Sequence, residues 1–125
     1  MYSQTLLDHF RNPRNAGQLD APAVTVEVEN PACGDILRLS ARFGGGVVEQ
    51  VRYQVRGCTA SIAAGSALTE WMQGKTPAEL QALRPAQIED AVGGLAAESK
   101  HAAVLCCDAL KRLLRESYTQ ISDTP

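Results

Sequence analysis

The sequence predicts an α+β fold, a three-stranded antiparallel sheet covered on one face by helices. Three observations support this prediction. Hydrophobic and polar residues alternate in three consecutive runs between residues 24 and 56, which is the period of a half-buried strand. A triple glycine at residues 44–46 separates the second run from the third and is typical of a hairpin turn. After residue 58 the hydrophobic residues recur mostly at three- and four-residue steps, as they do along helices.

The composition limits the size and the partners of the protein. The chain has 125 residues, 45% of them hydrophobic, which is enough for one domain with its own core. We therefore expect a single domain over residues 1–125, with its core at about residues 2–116 and a polar tail at residues 117–125. The formal net charge of −2 argues against nucleic acid as a partner. Because nothing in the sequence predicts a signal peptide or a membrane span, we expect a cytoplasmic protein with reduced thiols and no membrane partner.

A short amphipathic helix is predicted before the sheet, over residues 2–11. Leu6 and Phe10 lie on its apolar face, and the Asn12-Pro13 pair should end it. His9 lies in the same helix, and we expect it on the helix surface or in a capping role. A loop rich in Asn, Pro and Gly follows, over residues 12–23.

Each predicted strand has an apolar face that should point to the core. The inward residues of the three runs, in chain order, are Val24, Val26 and Val28; Leu37, Leu39, Ala41 and Phe43; and Val51, Tyr53 and Val55. Four arginines occupy the opposite face of the hairpin, where we expect them to be solvated: Arg38, Arg42, Arg52 and Arg56. The sheet is therefore expected to be polar on one side and covered on the other.

Helices are predicted for the rest of the chain. The first follows Cys58 and ends at Gly74, since glycine suits the C-terminal end of a helix. Thr76-Pro77-Ala78-Glu79 is a capping-box sequence with proline at the first helical position, which begins a short helix. Further helices are predicted over residues 85–91 and about 99–116, with a pair of glycines between them.

The four cysteines define the central question of this sequence. Cys33, Cys58, Cys106 and Cys107 include no C-x-x-C pair, so neither a zinc ribbon nor a thioredoxin-like motif is available. In a reducing compartment such cysteines are metal ligands, nucleophiles or core residues more often than disulfides. The position of each one in the predicted fold must decide among these roles.

The predicted hairpin brings two of the thiols together. A turn centred on Gly45 pairs residues whose numbers sum to about 90. Cys33 then lies opposite Gly57, which precedes Cys58, and Asp35 lies opposite Val55. Two thiols and a carboxylate at one end of a sheet form much of a metal site. The alternative is that Cys33 and Cys58 are unrelated loop residues, and the shared hairpin favours the common site.

Several stretches of the sequence resemble one known family. PACGD at residues 31–35 and GCTAS at residues 57–61 resemble the two signature stretches of the U-type iron–sulfur cluster scaffolds, the NifU N-terminal domain and IscU. LDHFRNPRNAG at residues 7–17 and GKT at residues 74–76 resemble further segments of that family. The resemblance extends over residues 2–114, with the motifs in the family's order.

The resemblance implies a scaffold rather than an enzyme. Scaffolds of this family take sulfur from a cysteine desulfurase, take iron, assemble a [2Fe–2S] cluster and pass it to recipient apo-proteins. The family's site uses three cysteines and an aspartate, with a histidine nearby in one branch, and zinc often occupies the cluster-free form. On this sequence the resemblance implies Cys33, Asp35, Cys58 and His101 as the ligands of iron, a [2Fe–2S] cluster or zinc.

The sequence departs from the family pattern in its last helix. Ala102 follows His101 where the IscU branch has a cysteine, so Ala102 replaces the third family cysteine. Cys106 lies one turn further along the same helix face. A core position is favoured over ligation for Cys106, with ligation left open, and it is favoured more strongly for Cys107. LAAES at residues 95–99 replaces the stretch that a specialised heat-shock chaperone reads in IscU, so the sequence does not support that chaperone as a partner.

Three functions stay open at this point. The first is a scaffold or carrier for iron, a [2Fe–2S] cluster or zinc. The second is a divergent relative that binds a metal or a desulfurase without assembling clusters. The third is an enzyme with Cys58 as nucleophile, which ranks last because the sequence offers His101 no evident orienting partner.

Overall fold

A computed structural model describes residues 2–117 and has the predicted architecture. Its elements, in chain order, are α1 Gln4–Arg11, β1 Val24–Glu29, β2 Ile36–Gly44, β3 Val47–Arg56, α2 Thr59–Met72, α3 Pro77–Gln81, α4 Pro85–Ala91 and α5 His101–Glu116, with a 3-10 turn at Ala97–Ser99. The strands form an antiparallel sheet in the order β1-β2-β3. Most of the predicted polar tail lies outside the described residues. Within residues 2–117, no helix has the length and the apolar character that crossing a membrane requires.

The apolar face of the sheet is buried against α2 and α5. Leu37, Leu39 and Ala41 of β2 are fully buried, as their alternation predicts. Ser40, which the alternation assigns to the polar face, is buried as well and shares a 2.9 Å hydrogen bond with the Thr25 hydroxyl. This cross-strand pair satisfies a hydroxyl that would otherwise be costly to bury.

Tyr53 joins β3 to α2. Its ring lies where Gly65 has no side chain, since a Cβ added to Gly65 would be 2.5 Å from the ring atom Cδ2. The Tyr53 hydroxyl donates a 2.8 Å hydrogen bond to the carbonyl of Ile62. The phenol is thus buried with its polar end satisfied, and it fixes the first half of α2 against the sheet.

The hairpin register differs from the predicted one. Leu37, not Asp35, lies opposite Val55. The turn is formed by Gly45 and Gly46, and a bulge between Arg42 and Phe43 shifts the register further. The combined shift of two residues leaves each side chain on its predicted face, because side chains alternate with a period of two.

The helix boundaries follow their capping residues. The Ser3 hydroxyl accepts the amide of Leu6 at the start of α1, and Thr76 and Glu79 form the predicted capping box of α3. Gly74, which follows the C-cap residue of α2, has a φ of +79°, the conformation that favours glycine at a helix end. The last helix begins at His101 rather than near residue 99, because the preceding residues form the 3-10 turn.

His9 is buried, so the predicted surface or capping role is wrong. Its side chain is 5% exposed, and its Nδ1 is 2.8 Å from the Ser66 hydroxyl of α2. The same hydroxyl accepts the amide of Arg14 at 2.9 Å. Leu6 and His9 form the buried face of α1, whereas Phe10 is 36% exposed. His9 therefore ties α1 and the following loop to α2.

The buried state of His9 predicts a loss of stability in mild acid. Burial, followed by the nearby Arg14 charge, lowers the pKa of His9 below its ordinary 6.5. As the pH falls through about 6.5, the unfolded chain binds a proton that the folded protein does not. We expect the free energy of unfolding to decrease from this pH down to the folded pKa. Urea unfolding at several pH values would measure this decrease, and we expect it to be smaller in His9→Gln. An equally large decrease in His9→Gln would show that His9 is not its cause.

Candidate metal-binding site

Three segments of the chain meet at one end of the sheet. The β1–β2 loop carries Cys33 and Asp35, the β3–α2 junction carries Cys58, and α5 begins with His101. The ligand atoms of Cys33, Asp35 and His101 lie within 4.8 Å of one another. The sulfur of Cys58 is 3.6 Å from Nε2 of His101. The fold thus brings Cys33, Asp35 and His101 into one group of ligand atoms, and it places Cys58 beside this group, next to His101.

The loop that carries Cys33 and Asp35 is built on Asn30. The Asn30 carbonyl accepts the amide of Gly34 at 2.7 Å, and the Asn30 amide donates to the carbonyl of Asp35 at 2.8 Å. The Asn30 side chain also accepts the amide of Ala32 at 2.9 Å. Gly34 has a φ of +77°, which a residue with a side chain rarely adopts. This geometry leaves Cys33 exposed and turns Asp35 inward.

Asp35 is 7% exposed and is held by the start of α2. The Ser61 hydroxyl donates a 2.6 Å hydrogen bond to Oδ2, and the Cys58 amide donates to the same atom at 3.4 Å. Nε2 of His101 is 3.5 Å from that oxygen. Burial alone would raise the pKa of Asp35, but the hydrogen bonds from Ser61 and Cys58 outweigh it and hold the pKa below its ordinary value. The carboxyl is therefore ionised at neutral pH, as a metal ligand must be.

Cys58 and His101 face each other across the site. Cys58 is the N-cap residue of α2, and within the described part of the chain its thiol makes no capping hydrogen bond. Nδ1 of His101 lies 3.0 Å from the carbonyl oxygen of Glu98. Because a carbonyl can only accept, Nδ1 carries a proton, so in the neutral ring the lone pair belongs to Nε2, the atom next to Cys58. This is the tautomer that a histidine ligand needs.

His101 has an orienting partner, the carbonyl of Glu98, so the expectation from the sequence that it has none was wrong. The partner is a backbone carbonyl, a group that every residue has, so it gives no signal in the sequence. Two further residues were also missed as parts of the site. Ser61 donates to Asp35, and Gly57 lacks a side chain where the Asp35 carboxyl packs. The only signal for either was its place in the GCTAS stretch.

The remaining thiols lie in the core. Ala102 is fully buried, Cys106 is 1% exposed and Cys107 is 5% exposed. Burial raises the pKa of both thiols, which disfavours the thiolate that a metal requires. Neither belongs to the ligand atoms that converge among the described residues. This packing favours a core role for Cys106, and Cys33 and Cys58 are the thiols that reach the site.

Removal of the buried thiol predicts a change in stability without a change in metal content. We expect Cys106→Ala to lower the free energy of unfolding by about 1–2 kcal/mol, through lost contacts and a small cavity. Zinc per chain, measured after identical purification, should stay at the level of the parent protein. A loss of bound metal in Cys106→Ala with the fold intact would instead identify Cys106 as the third thiol ligand.

The fold and the gathered thiols, carboxylate and imidazole define the class of U-type scaffolds that the sequence resembles. Residues 1–123 match the family model described as NifU-like N terminal domain, and the chain belongs to this family. The scaffold protein IscU of Azotobacter vinelandii is 40% identical over 119 residues, which is 92% of each chain. IscU 1 of Archaeoglobus fulgidus is 36% identical over 118 residues, 94% of this chain and 77% of that one.

A further relative shows the domain within a longer protein. The bifunctional protein NifU/MnmA of Rubrobacter xylanophilus is 38% identical over 124 residues, which is 98% of this chain but 25% of that protein. The chain therefore spans about a quarter of the length of this relative.

Solved structures share the fold at lower sequence identity. A putative iron–sulfur cluster assembly scaffold for the SUF system from Fervidobacterium islandicum AW-1 gives a TM-score of 0.75 at 21% identity, covering 90% of this chain and 96% of that one. A NifU-like N-terminal structure from Brucella abortus gives a TM-score of 0.62 at 23% identity, covering 96% and 85%. These likenesses support the architecture and nothing beyond it.

Proposed function

We propose that this protein is an iron–sulfur cluster assembly scaffold, which holds iron, a [2Fe–2S] cluster or, in its cluster-free form, zinc. The proposed ligands are Cys33, Asp35, Cys58 and His101. The observation that supports them best is the 4.8 Å grouping of ligand atoms from the β1–β2 loop and α5, with the Cys58 sulfur beside His101. The similarity to proteins named as scaffold proteins IscU supports the same function.

The proposal includes the exchange partners of a scaffold. A cysteine desulfurase would supply sulfur and recipient apo-proteins would take the cluster, in the cytoplasm and without a catalytic reaction by this protein. The exposure of Cys33 at the tip of its loop is compatible with such exchange, because a donor can reach a thiol there. The other three proposed ligands are partly or fully buried and would bind the metal or cluster from the side of the protein core.

The chemistry of the four proposed ligands predicts different affinities for zinc and for a [2Fe–2S] cluster. Two thiolates, one imidazole and one carboxylate oxygen can complete the tetrahedral shell that zinc prefers. Histidine can replace cysteine at a [2Fe–2S] cluster, so two thiols do not exclude a cluster. Imidazole and carboxylate are harder donors than thiolate, and the cluster should therefore be released more easily than from a site with three cysteines. Easy release suits a carrier.

Reconstitution tests this function directly. The parent protein, purified without oxygen, would be incubated with ferrous iron, cysteine, a cysteine desulfurase and a thiol reductant that converts the transferred sulfur to sulfide. Iron and sulfide per chain would be measured together with the visible spectrum. We expect equal amounts of iron and sulfide and a visible absorption band. The matched control is the double variant Cys33→Ala/Cys58→Ala. Equal loading of the parent and this variant would refute the proposed site.

Metal binding without cluster assembly is the second candidate function. The burial of Ala102 and Cys106 favours it, because that burial leaves two thiols at the site. The same experiment separates the two functions. Bound zinc or iron without sulfide, lost in the double variant, would indicate a metal-binding protein that does not assemble clusters.

A further inference from the structure

We propose that Ser61 is a positioning residue of this site: its hydroxyl fixes the Asp35 carboxylate in the place from which it binds the metal. The inference rests on the proposed function, because it concerns the same site. It assigns a role to a residue outside the four proposed ligands.

The contacts of Ser61 give its hydroxyl a defined direction. The side chain is 2% exposed, and the hydroxyl carries a single proton. An ionised carboxylate can only accept, so that proton goes to Oδ2 of Asp35 at 2.6 Å. The oxygen of Ser61 in turn accepts the thiol of Cys58 at 3.4 Å. Ser61 thus links two proposed ligands that are separated by 23 positions in the sequence.

Metal binding would remove one of these contacts and keep the other. When Cys58 becomes a ligand it loses its thiol proton, and its hydrogen bond to Ser61 ends. The bond from Ser61 to Asp35 does not depend on that proton and persists. Ser61 therefore continues to restrain the carboxylate in the loaded site.

The two oxygens of the Asp35 carboxylate are held differently, and Oδ2 is the one that lies 3.5 Å from Nε2 of His101. The Ser61 hydroxyl and the Cys58 amide both donate to Oδ2, whereas no residue between positions 2 and 117 donates to Oδ1. This inequality between the two oxygens favours metal binding through one of them rather than through both. Binding through one oxygen suits four-coordinate zinc or iron, whereas calcium sites often use a carboxylate through both oxygens.

The rival explanation is that Ser61 only satisfies a buried carboxylate and has no effect on the metal. Ser66 provides a matched control for this. It lies on the same helix, is fully buried and makes two hydrogen bonds, with His9 and with the amide of Arg14. Replacing either serine by alanine removes one buried hydroxyl together with two hydrogen bonds. Ser61→Ala and Ser66→Ala should therefore lose comparable stability, while only Ser61→Ala should change the metal.

The experiment measures zinc affinity by competition with a chromophoric chelator, together with the visible spectrum of the cobalt-substituted protein. Removing a residue that orients a metal ligand costs about 10–100-fold in affinity, and we expect this loss in Ser61→Ala. Ser66→Ala should keep the parent affinity and cobalt spectrum, and Ser61→Thr, which retains a hydroxyl, should recover most of the loss. An affinity and a spectrum for Ser61→Ala equal to those of Ser66→Ala would overturn the inference and leave the proposed function intact.

A second comparison keeps the inference testable if Ser61→Ala does not fold. In Asp35→Ala there is no carboxylate for Ser61 to restrain, so adding Ser61→Ala should leave the zinc affinity unchanged. A further tenfold loss in the double variant would show that Ser61 acts by another route, against the inference. Failure of the proposed function has a different result: the parent would bind zinc no better than Cys33→Ala/Cys58→Ala.

Discussion

Cys58→Ala is expected to reduce bound zinc and reconstituted cluster to background under conditions that load the parent protein. Cys58 is one of two thiols at the site, and its sulfur lies 3.6 Å from Nε2 of His101. Without it a metal would have one thiolate, one imidazole and one carboxylate. Removing a residue that merely orients a ligand costs about 10–100-fold in affinity, so the removal of a ligand should cost at least about a hundredfold. Zinc, iron and sulfide per chain measure the effect.

The fold should survive this substitution. Within the described residues the Cys58 thiol makes no capping hydrogen bond to α2, so the helix contact that alanine removes is the 3.4 Å one with the Ser61 hydroxyl. We expect the free energy of unfolding to change by about 1 kcal/mol or less. Cys107→Ala is the matched control, since it also removes a thiol and lies in the core. Normal loading of Cys58→Ala, or equal losses in both variants, would contradict the proposed site.

The fold was predictable because its signals are local. The alternation around Leu37 and Leu39 gave the strands and their buried faces, and the glycines at 44–46 gave the hairpin. The register was not predictable to the residue, because the bulge after Arg42 depends on packing rather than on a sequence signal. The predicted placement of Cys33 and Cys58 at one end of the sheet survived this error, since a shift of two residues changes neither the face nor the end of the sheet.

The contacts within the site were less predictable, because they depend on how separate elements pack. The position of His9 relative to Ser66 depends on the rotation of α1 against α2. The partner of His101 is the carbonyl of Glu98, which becomes available through the 3-10 turn before α5. The bond from Ser61 to Asp35 needs the β1–β2 loop to lie over the first turn of α2. Each is a tertiary contact, and single-sequence patterns carry little information about such contacts.

Gly57→Ala is expected to impair the site although it removes no ligand. A Cβ on Gly57 would lie 2.5 Å from Cγ of Asp35 and 2.7 and 2.8 Å from its two oxygens, far inside van der Waals contact. The carboxylate cannot simply move aside, because Ser61 holds it at 2.6 Å. Either that bond breaks or the backbone before Cys58 shifts. We expect a loss of about 1–3 kcal/mol of stability and at least about tenfold weaker zinc binding, measured by urea unfolding and chelator competition.

Gly44→Ala is the matched control for this prediction. A Cβ on Gly44 would also meet a carboxylate, that of Glu49, but the Glu49 side chain is exposed and is held only by a surface ion pair with Arg42, which can be displaced at little cost. Gly44→Ala should therefore have near-parent stability and zinc affinity. Adding Asp35→Ala to Gly57→Ala removes the clashing carboxylate, so the double variant should regain stability without regaining zinc affinity. If Gly57→Ala alone bound zinc as tightly as the parent, Asp35 could not occupy the position that we assign to it in the loaded site.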